Sequence, residues 1–97
     1  MLEKVIENRL QKQAKEAGGL CLKLMPFSWV GIPDRLVILP KKGRGRARIA
    51  FVETKAPGKD LKPLQAKRAA QLRALGCLVF KIDTIMGVDR FMQVMGI

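Results

Sequence analysis

Histidine and tyrosine are absent from the 97 residues. Hydrolytic chemistry built on a histidine general base or a tyrosine nucleophile is thereby excluded, so any bond cleavage must run on carboxylates, lysine and a metal ion. The two cysteines, Cys21 and Cys77, stand alone in apolar runs without Cys-x-x-Cys spacing, which predicts reduced core thiols. No apolar run approaches the ~20 residues of a membrane span, and the opening Met-Leu-Glu-Lys-Val-Ile-Glu lacks the basic-then-apolar order of a signal peptide. A soluble, cytoplasmic protein with no membrane partner and no small-molecule cofactor is expected. Internal repeats, linkers and low-complexity tracts are also missing, so residues 1–97 read as one domain.

Acidic residues are scarce. Eight Asp and Glu stand against nineteen Lys and Arg, for a net charge of +11. That excess points to a polyanion, because each neutralised phosphate releases counterions whatever the base sequence. Nucleic acid is favoured over an acidic membrane surface, since the densest basic run, Lys41-Lys42-Gly43-Arg44-Gly45-Arg46, lies in a glycine-punctuated turn and not on an amphipathic helix.

The apolar half of the composition is patterned. Val5, Ile6, Leu10, Ala14 and Ala17 recur at helical spacing over 3–17 and stop at Gly18-Gly19. Strands are predicted over 20–25, 35–39 and 48–56, with a loop from Pro26 to Pro33 that contains Phe27 and Trp29. The 48–56 run is apolar on both faces until Glu53, which suits the middle of a sheet. A helix opened by Pro63 should run to about residue 75 with Leu64, Ala69, Leu72 and Leu75 as its apolar face. A strand over 77–82 and a terminal helix over 84–95, carrying Met86, Phe91, Val94 and Met95, complete the order α-β-β-β-α-β-α. The expected class is a single α/β domain with a mixed central sheet.

Asp34 opens the second strand, and Glu53-Thr54-Lys55 closes the third. A hairpin between them brings both carboxylates to one end of the sheet. Side chains alternate along a strand, so Glu53 and Lys55 share a face and the Thr54 carbonyl lies between them. Hard oxygens from Asp34, Glu53 and that carbonyl suit Mg²⁺ or Mn²⁺. Lys55 is then placed to orient or deprotonate the attacking water.

The strings Gly31-Ile-Pro-Asp34 and Glu53-Thr-Lys55 resemble the PD-(D/E)xK nuclease superfamily, and within it the virus-type replication-repair nuclease (VRR-Nuc) family. The likeness extends over nearly the whole chain. It takes in an acidic residue of helix one, Gly18-Gly19, Lys23, the Gly-x-Pro-Asp-Arg string ending at Arg35, Lys55-Ala56-Pro57 and Pro63-Leu64-Gln65. The resemblance implies a restriction-endonuclease-like core and a DNA endonuclease that prefers branched, flap or junction structures. It further implies a divalent metal on Asp34 and Glu53, a catalytic Lys55, a supporting Gln65, and a helix-one glutamate acting through water on the metal. Glu3 and Glu7 compete for that last role, with Glu7 preferred for its spacing from Gly18-Gly19. Lys62 departs from the family's serine-like helix cap.

Ordinary explanations stand beside these. A Glu-x-Lys in a strand is usually a solvated ion pair; Gln65 could simply hydrogen-bond a loop; Lys23 and Arg35 could be solvated charges. Phe27 and Trp29 could stack on an unpaired base or pack internally. The competing class is a non-catalytic nucleic-acid-binding protein on the same fold. Lys23, Arg35, Lys41, Lys42, Arg44, Arg46 and Lys59 are the candidate DNA contacts. A chain this short carries a thin core, which predicts a homodimer through the Pro26–Val30 loop and the methionine-bearing terminal helix. Replacing Lys41, Lys42, Arg44 and Arg46 with alanine is expected to reduce the slope of log K against log salt on duplex DNA by up to about 0.9 per lost phosphate contact. An unchanged slope in a filter-binding titration would mean that the loop does not touch DNA.

Overall fold

A computed structural model describes residues 2–25 and 29–96. Its elements run α1 (Glu3–Glu16), β1 (Leu20–Lys23), β2 (Arg35–Leu39), β3 (Arg48–Thr54), α2 (Pro63–Ala74), β4 (Leu78–Ile82) and α3 (Ile85–Val94). This is the order expected from periodicity. The strands form one mixed sheet in the order β1-β2-β3-β4, antiparallel across the first two pairs and parallel between β3 and β4. β3 is interior, which explains its apolar character on both faces.

Helices cover the two faces unequally. On one, Ile6, Leu10 and Ala14 of α1 meet Val37, Leu39, Ala50, Val52 and Ile82 of the sheet and Val88, Phe91 and Met92 of α3. The rings of Phe80 and Phe91 meet edge to face with centroids 4.9 Å apart, and a bidentate Arg9–Asp89 pair ties α1 to α3. On the other face, Ala69 and Leu72 of α2 pack on Val79, with Trp29, Phe51, Leu61 and Cys77 around them. The Thr84 hydroxyl caps α3 by accepting from the Gly87 amide.

Several expectations are corrected. Leu64 and Leu75 do not face the core; Leu75 is 80% exposed, because α2 buries only the stripe through Ala69 and Leu72. Met92 and Met95 are buried in the domain's own core, and Met86 is the exposed methionine of α3. Cys21 and Cys77 are free thiols but only half-buried, at the margins of the two clusters. β1 ends at Lys23 instead of residue 25, although the Leu24 amide still donates to the Asp34 carbonyl. β3 ends at Thr54, where the Lys55 amide turns to the Ile82 carbonyl.

α2 sits over β4 and Phe51, so the remainder of its face is less covered. Leu20, Leu22, Leu36, Ile38 and Ile49 line up there by register and alternation. Leu20, Leu22 and Ile49 are exposed, and Leu36 and Ile38 are half-buried. Among the described residues no helix is long and apolar enough to cross a membrane.

Candidate active site

The β2–β3 ladder pairs Arg35 with Val52, so the next residues outward, Asp34 and Glu53, meet at its end. The Asp34 amide donates to Glu53 Oε1 at 3.2 Å. In return, the Thr54 amide donates to Asp34 Oδ1 at 3.2 Å and the Thr54 hydroxyl lies 3.0 Å from Asp34 Oδ2. Backbone and side chain thus hold each carboxylate reciprocally, and neither depends on a long flexible arm. Lys55 Nζ stands 3.9 Å from Glu53 Oε2. Gln65 enters from the first turn of α2, its Nε2 donating to Glu53 Oε2 at 3.4 Å while its Oε1 accepts from the Lys62 amide at 2.9 Å. With Lys62 in place of a serine-like cap, Gln65 supplies a reaching-back capping bond and supports Glu53 with the same side chain.

From the opposite face α1 delivers its acids. Glu7 Oε1 lies 3.3 Å from the Thr54 hydroxyl, and Glu7 Oε2 lies 3.5 Å from Arg35 Nη2. Glu3, one turn earlier, stands beside Glu7, close enough to Asp34 and Lys55 for their charges to act on it. Both candidates from helix one therefore reach this end of the sheet.

Burial is the first cause of the site's electrostatics. It pushes Glu53 from its ordinary 4.5 up to about 7, with the Asp34 charge adding to the shift and Lys55 and the Asp34 amide opposing it. Asp34 is also raised by burial and by Glu7, against hydrogen bonds from Thr54. Glu3 is raised by burial, then by Glu7 and Asp34. In a chain of net charge +11, carboxylates crowd here, so that the Asp34 charge raises the proton affinity of Glu53 and Glu3 and the Glu7 charge that of Asp34 and Glu3. A hard cation would relieve that repulsion, so the donor set fits Mg²⁺ or Mn²⁺. Among the described residues no three His, Cys, Asp or Glu close into one metal-holding cluster; Glu53 meets Asp34 through the Asp34 amide, and Glu3 meets Glu7 side chain to side chain.

An open cleft above them is lined by Lys23, Leu24, Val30, Gly31, Ile32 and Gln65. Its loop wall is fixed to α2. Arg68 donates to the Val30 carbonyl at 2.9 Å and lies over the Trp29 ring at 4.7 Å. Gly31 has φ +90°, and a Cβ there would come within 2.8 Å of Leu64, so this position requires glycine. Trp29 is half-buried against α2, which accounts for it by packing; Phe27 lies outside the described residues.

The expected nucleic-acid contacts divide. Lys23 is exposed at the cleft rim and Lys59 is exposed in the loop after Lys55. Lys41, Lys42, Arg44 and Arg46 are exposed as well, but they lie in the β2–β3 turn at the opposite end of the strands from Asp34, roughly 17 Å away along a five-residue strand. Arg35 is corrected: it is 7% exposed and faces α1, and is therefore neither a solvated charge nor a surface contact. Its period-two partners Val37 and Leu39 are buried on the same side, and that alternation is the signal that marks Arg35 as inward. Sequence reasoning also missed the Thr54 hydroxyl, having considered its carbonyl alone. It shares the inward face of Ala50 and Val52.

An α/β fold that gathers an aspartate, a glutamate and a lysine at one sheet end defines a nuclease-type domain. A solved "VRR_NUC domain" superposes with a TM-score of 0.81 and 32% identity over 94% of each chain. A protein of Acyrthosiphon pisum secondary endosymbiont phage 1 named "Putative nuclease p44" is 39% identical over 82 residues, covering 84% of this chain and 83% of that protein. No family profile matches the sequence. The chain belongs to the VRR-Nuc family.

Raised carboxyl pKa values fix the sign of the pH dependence. Protonation of Glu53 is favoured in the folded state, so its contribution to stability is fully present below about pH 4.5 and is lost as pH rises through about 7. In EDTA, Glu53→Gln is expected to melt at least about 4 °C above the parent protein at pH 8, equivalent to about 1 kcal/mol in a domain of this size, and to match it near pH 4. Identical melting curves at pH 8 would dissociate the carboxyl from this cost.

Proposed function

We propose that the protein is a divalent-metal-dependent DNA endonuclease that hydrolyses phosphodiesters at the Asp34–Glu53–Lys55 end of the sheet and prefers branched or distorted DNA. The observation that supports this most directly is the holding of both carboxylates at one strand end, Glu53 by the Asp34 amide and Asp34 by the Thr54 amide, with Lys55 beside Glu53, in a chain of VRR-Nuc fold. Asp34, Glu53 and the Thr54 carbonyl would hold Mg²⁺ or Mn²⁺. When bound, such an ion acidifies a water and stabilises charge developing on the phosphate. Lys55 orients the attacking water and the phosphate oxygen, and Gln65 keeps Glu53 directed at the site. An acid from α1 acts on the same water. Lys23 and Lys59 flank the cleft and attract the backbone on either side. Structure preference is supported by the absence, among the described residues, of any helix projecting from the domain to read a groove, and by the aliphatic cleft wall of Leu24, Val30 and Ile32 beside the carboxylates.

The protein acts as a homodimer in this reading. Of the surface named from sequence, Met92 and Met95 are spent on the core and Trp29 packs on α2, while Val30, Met86 and Val94 stay exposed. The aliphatic face of β1, β2 and Ile49 is a second candidate surface, being apolar and incompletely covered. Sedimentation at micromolar concentration is expected to show a dimer that Leu20→Glu with Ile49→Glu converts to monomer. A parent protein that is monomeric and fully active would end this proposal.

Asp34→Asn keeps the shape of the side chain and removes its charge. Cleavage of a panel of single-stranded, duplex, flap and four-way DNA in Mg²⁺ or Mn²⁺ is expected to fall at least about a hundredfold, the lower end for losing one preorganised electrostatic element. DNA affinity in EDTA should be unchanged or slightly higher, since a negative charge has gone. Wild-type protein that leaves every substrate intact in both metals, or an Asp34→Asn protein that cuts as fast, would contradict the mechanism and favour the non-catalytic binding protein.

A further inference from the structure

Arg35 is a fixed cation inside the domain, immediately after a carboxylate of the site. Its side chain is 9% exposed and that of Glu7 is 19% exposed, with Arg35 Nη2 and Glu7 Oε2 3.5 Å apart. Turned so that its oxygen faces the guanidinium, the Gln11 amide accepts from Nη1 at 3.1 Å and Nη2 at 2.9 Å. Arg35 Nε is buried without a partner among the described residues. Glu7 is equally committed, one oxygen to Arg35 and the other beside the Thr54 hydroxyl that also faces Asp34. A guanidinium buried this far needs an anion, and Glu7 is the carboxylate in contact with it.

From this geometry we infer that Arg35 and Glu7 form a charge-neutral buried pair that sets the position and net charge of the site from beneath, with Arg35 a positioning residue. The pair rests on the metal-dependent reading above for its consequence, but not for its existence. Glu7 is held by Arg35, Gln11 steadies the guanidinium, and the Thr54 hydroxyl links the pair to Asp34. With Glu7 neutralised by Arg35, the negative charge offered to a divalent ion is that of Asp34 and Glu53, with Glu3 left as the uncommitted acid of α1. Arg35 makes no phosphate contact, because its guanidinium points under the sheet and not into solvent.

The inference has a signature that general support of the fold would not produce. Removing one partner leaves an uncompensated unit charge close to Asp34, so the two single variants should move metal affinity in opposite directions. Mn²⁺ titration calorimetry on the full chain is expected to show Glu7→Gln weakened by at least about tenfold and Arg35→Met tightened by a similar factor. The double variant should return to within about threefold of wild type, and Arg35→Lys, which keeps the charge, should stay in that range. Weakening by both single variants, or a double variant as weak as Glu7→Gln, overturns the inference, the second result making Glu7 a partner of the metal itself.

Metal-free protein supplies independent readouts. In EDTA each single variant should lower Tm more than the double variant does, as for a buried pair broken from one side; additive losses overturn the pairing. The salt slope of DNA binding by Arg35→Lys and Arg35→Met should equal that of wild type, and a slope reduced by about 0.9 would instead make Arg35 a phosphate contact. Wild type that takes up no Mn²⁺ would refute the metal reading and the charge-setting role together, whereas the melting cycle would still decide whether the pair exists.

Discussion

The antiparallel pairing of β2 with β3 sets Arg35 against Val52, and the geometry of the site follows from that one register. Asp34 and Glu53 are 19 residues apart in sequence and become neighbours because each is the next residue beyond the same cross-strand pair. A slip of one residue would turn Glu53 to the opposite face and replace it with Thr54 or Val52. The slip is opposed by burial. Val37, Leu39, Ala50 and Val52 occupy the α1 side of the same two strands, and moving them would expose one face of the core. Core packing on one face therefore holds the alignment of acidic groups at the end of the ladder.

Electrostatics runs against that packing. The chain concentrates several of its few acids at a half-buried sheet end, where burial and mutual repulsion raise Glu3, Asp34 and Glu53 above their ordinary pKa values. Such an arrangement costs stability in the metal-free state and is the kind of local conflict that functional sites retain. Three devices limit the cost: backbone hydrogen bonds to the Asp34 and Glu53 carboxylates, Lys55 beside Glu53, and the inward Arg35 against Glu7. The rest of the surface is free to be basic. Basic residues at the β2–β3 turn and around the cleft lie at opposite ends of the sheet, which spreads attraction for a polyanion along the molecule.

Layering explains the uneven surface. Two helices cover one face of a four-stranded sheet, while α2 covers part of the other, over β4 and Phe51. Among the described residues no further helix seals β1 and β2, and the aliphatic row from Leu20 to Ile49 is left half-open. The same economy leaves the cleft wall to a loop, stiffened by Arg68 on the Val30 carbonyl and by a glycine packed against Leu64.

The sequence by itself determined the order of elements, the interior position of β3 and the identity of the acidic and basic groups at its end. Hydrophobic period and turn residues are local signals, and Asp34 and Glu53 sit where two such signals stop. Fold and family were legible for that reason. Which way a charged side chain faces was not, except through the alternation of Arg35 with Val37 and Leu39. Glu3 and Glu7 are one helical turn apart and read alike in sequence. Their different surroundings arise only when α1 is laid across the sheet, placing Glu7 against Arg35 and Thr54. The exposure of Leu64 and Leu75 and the burial of Met92 and Met95 are likewise tertiary facts. Each depends on which element lies across from a residue, and contacts between segments far apart in the chain leave no periodic mark in either one.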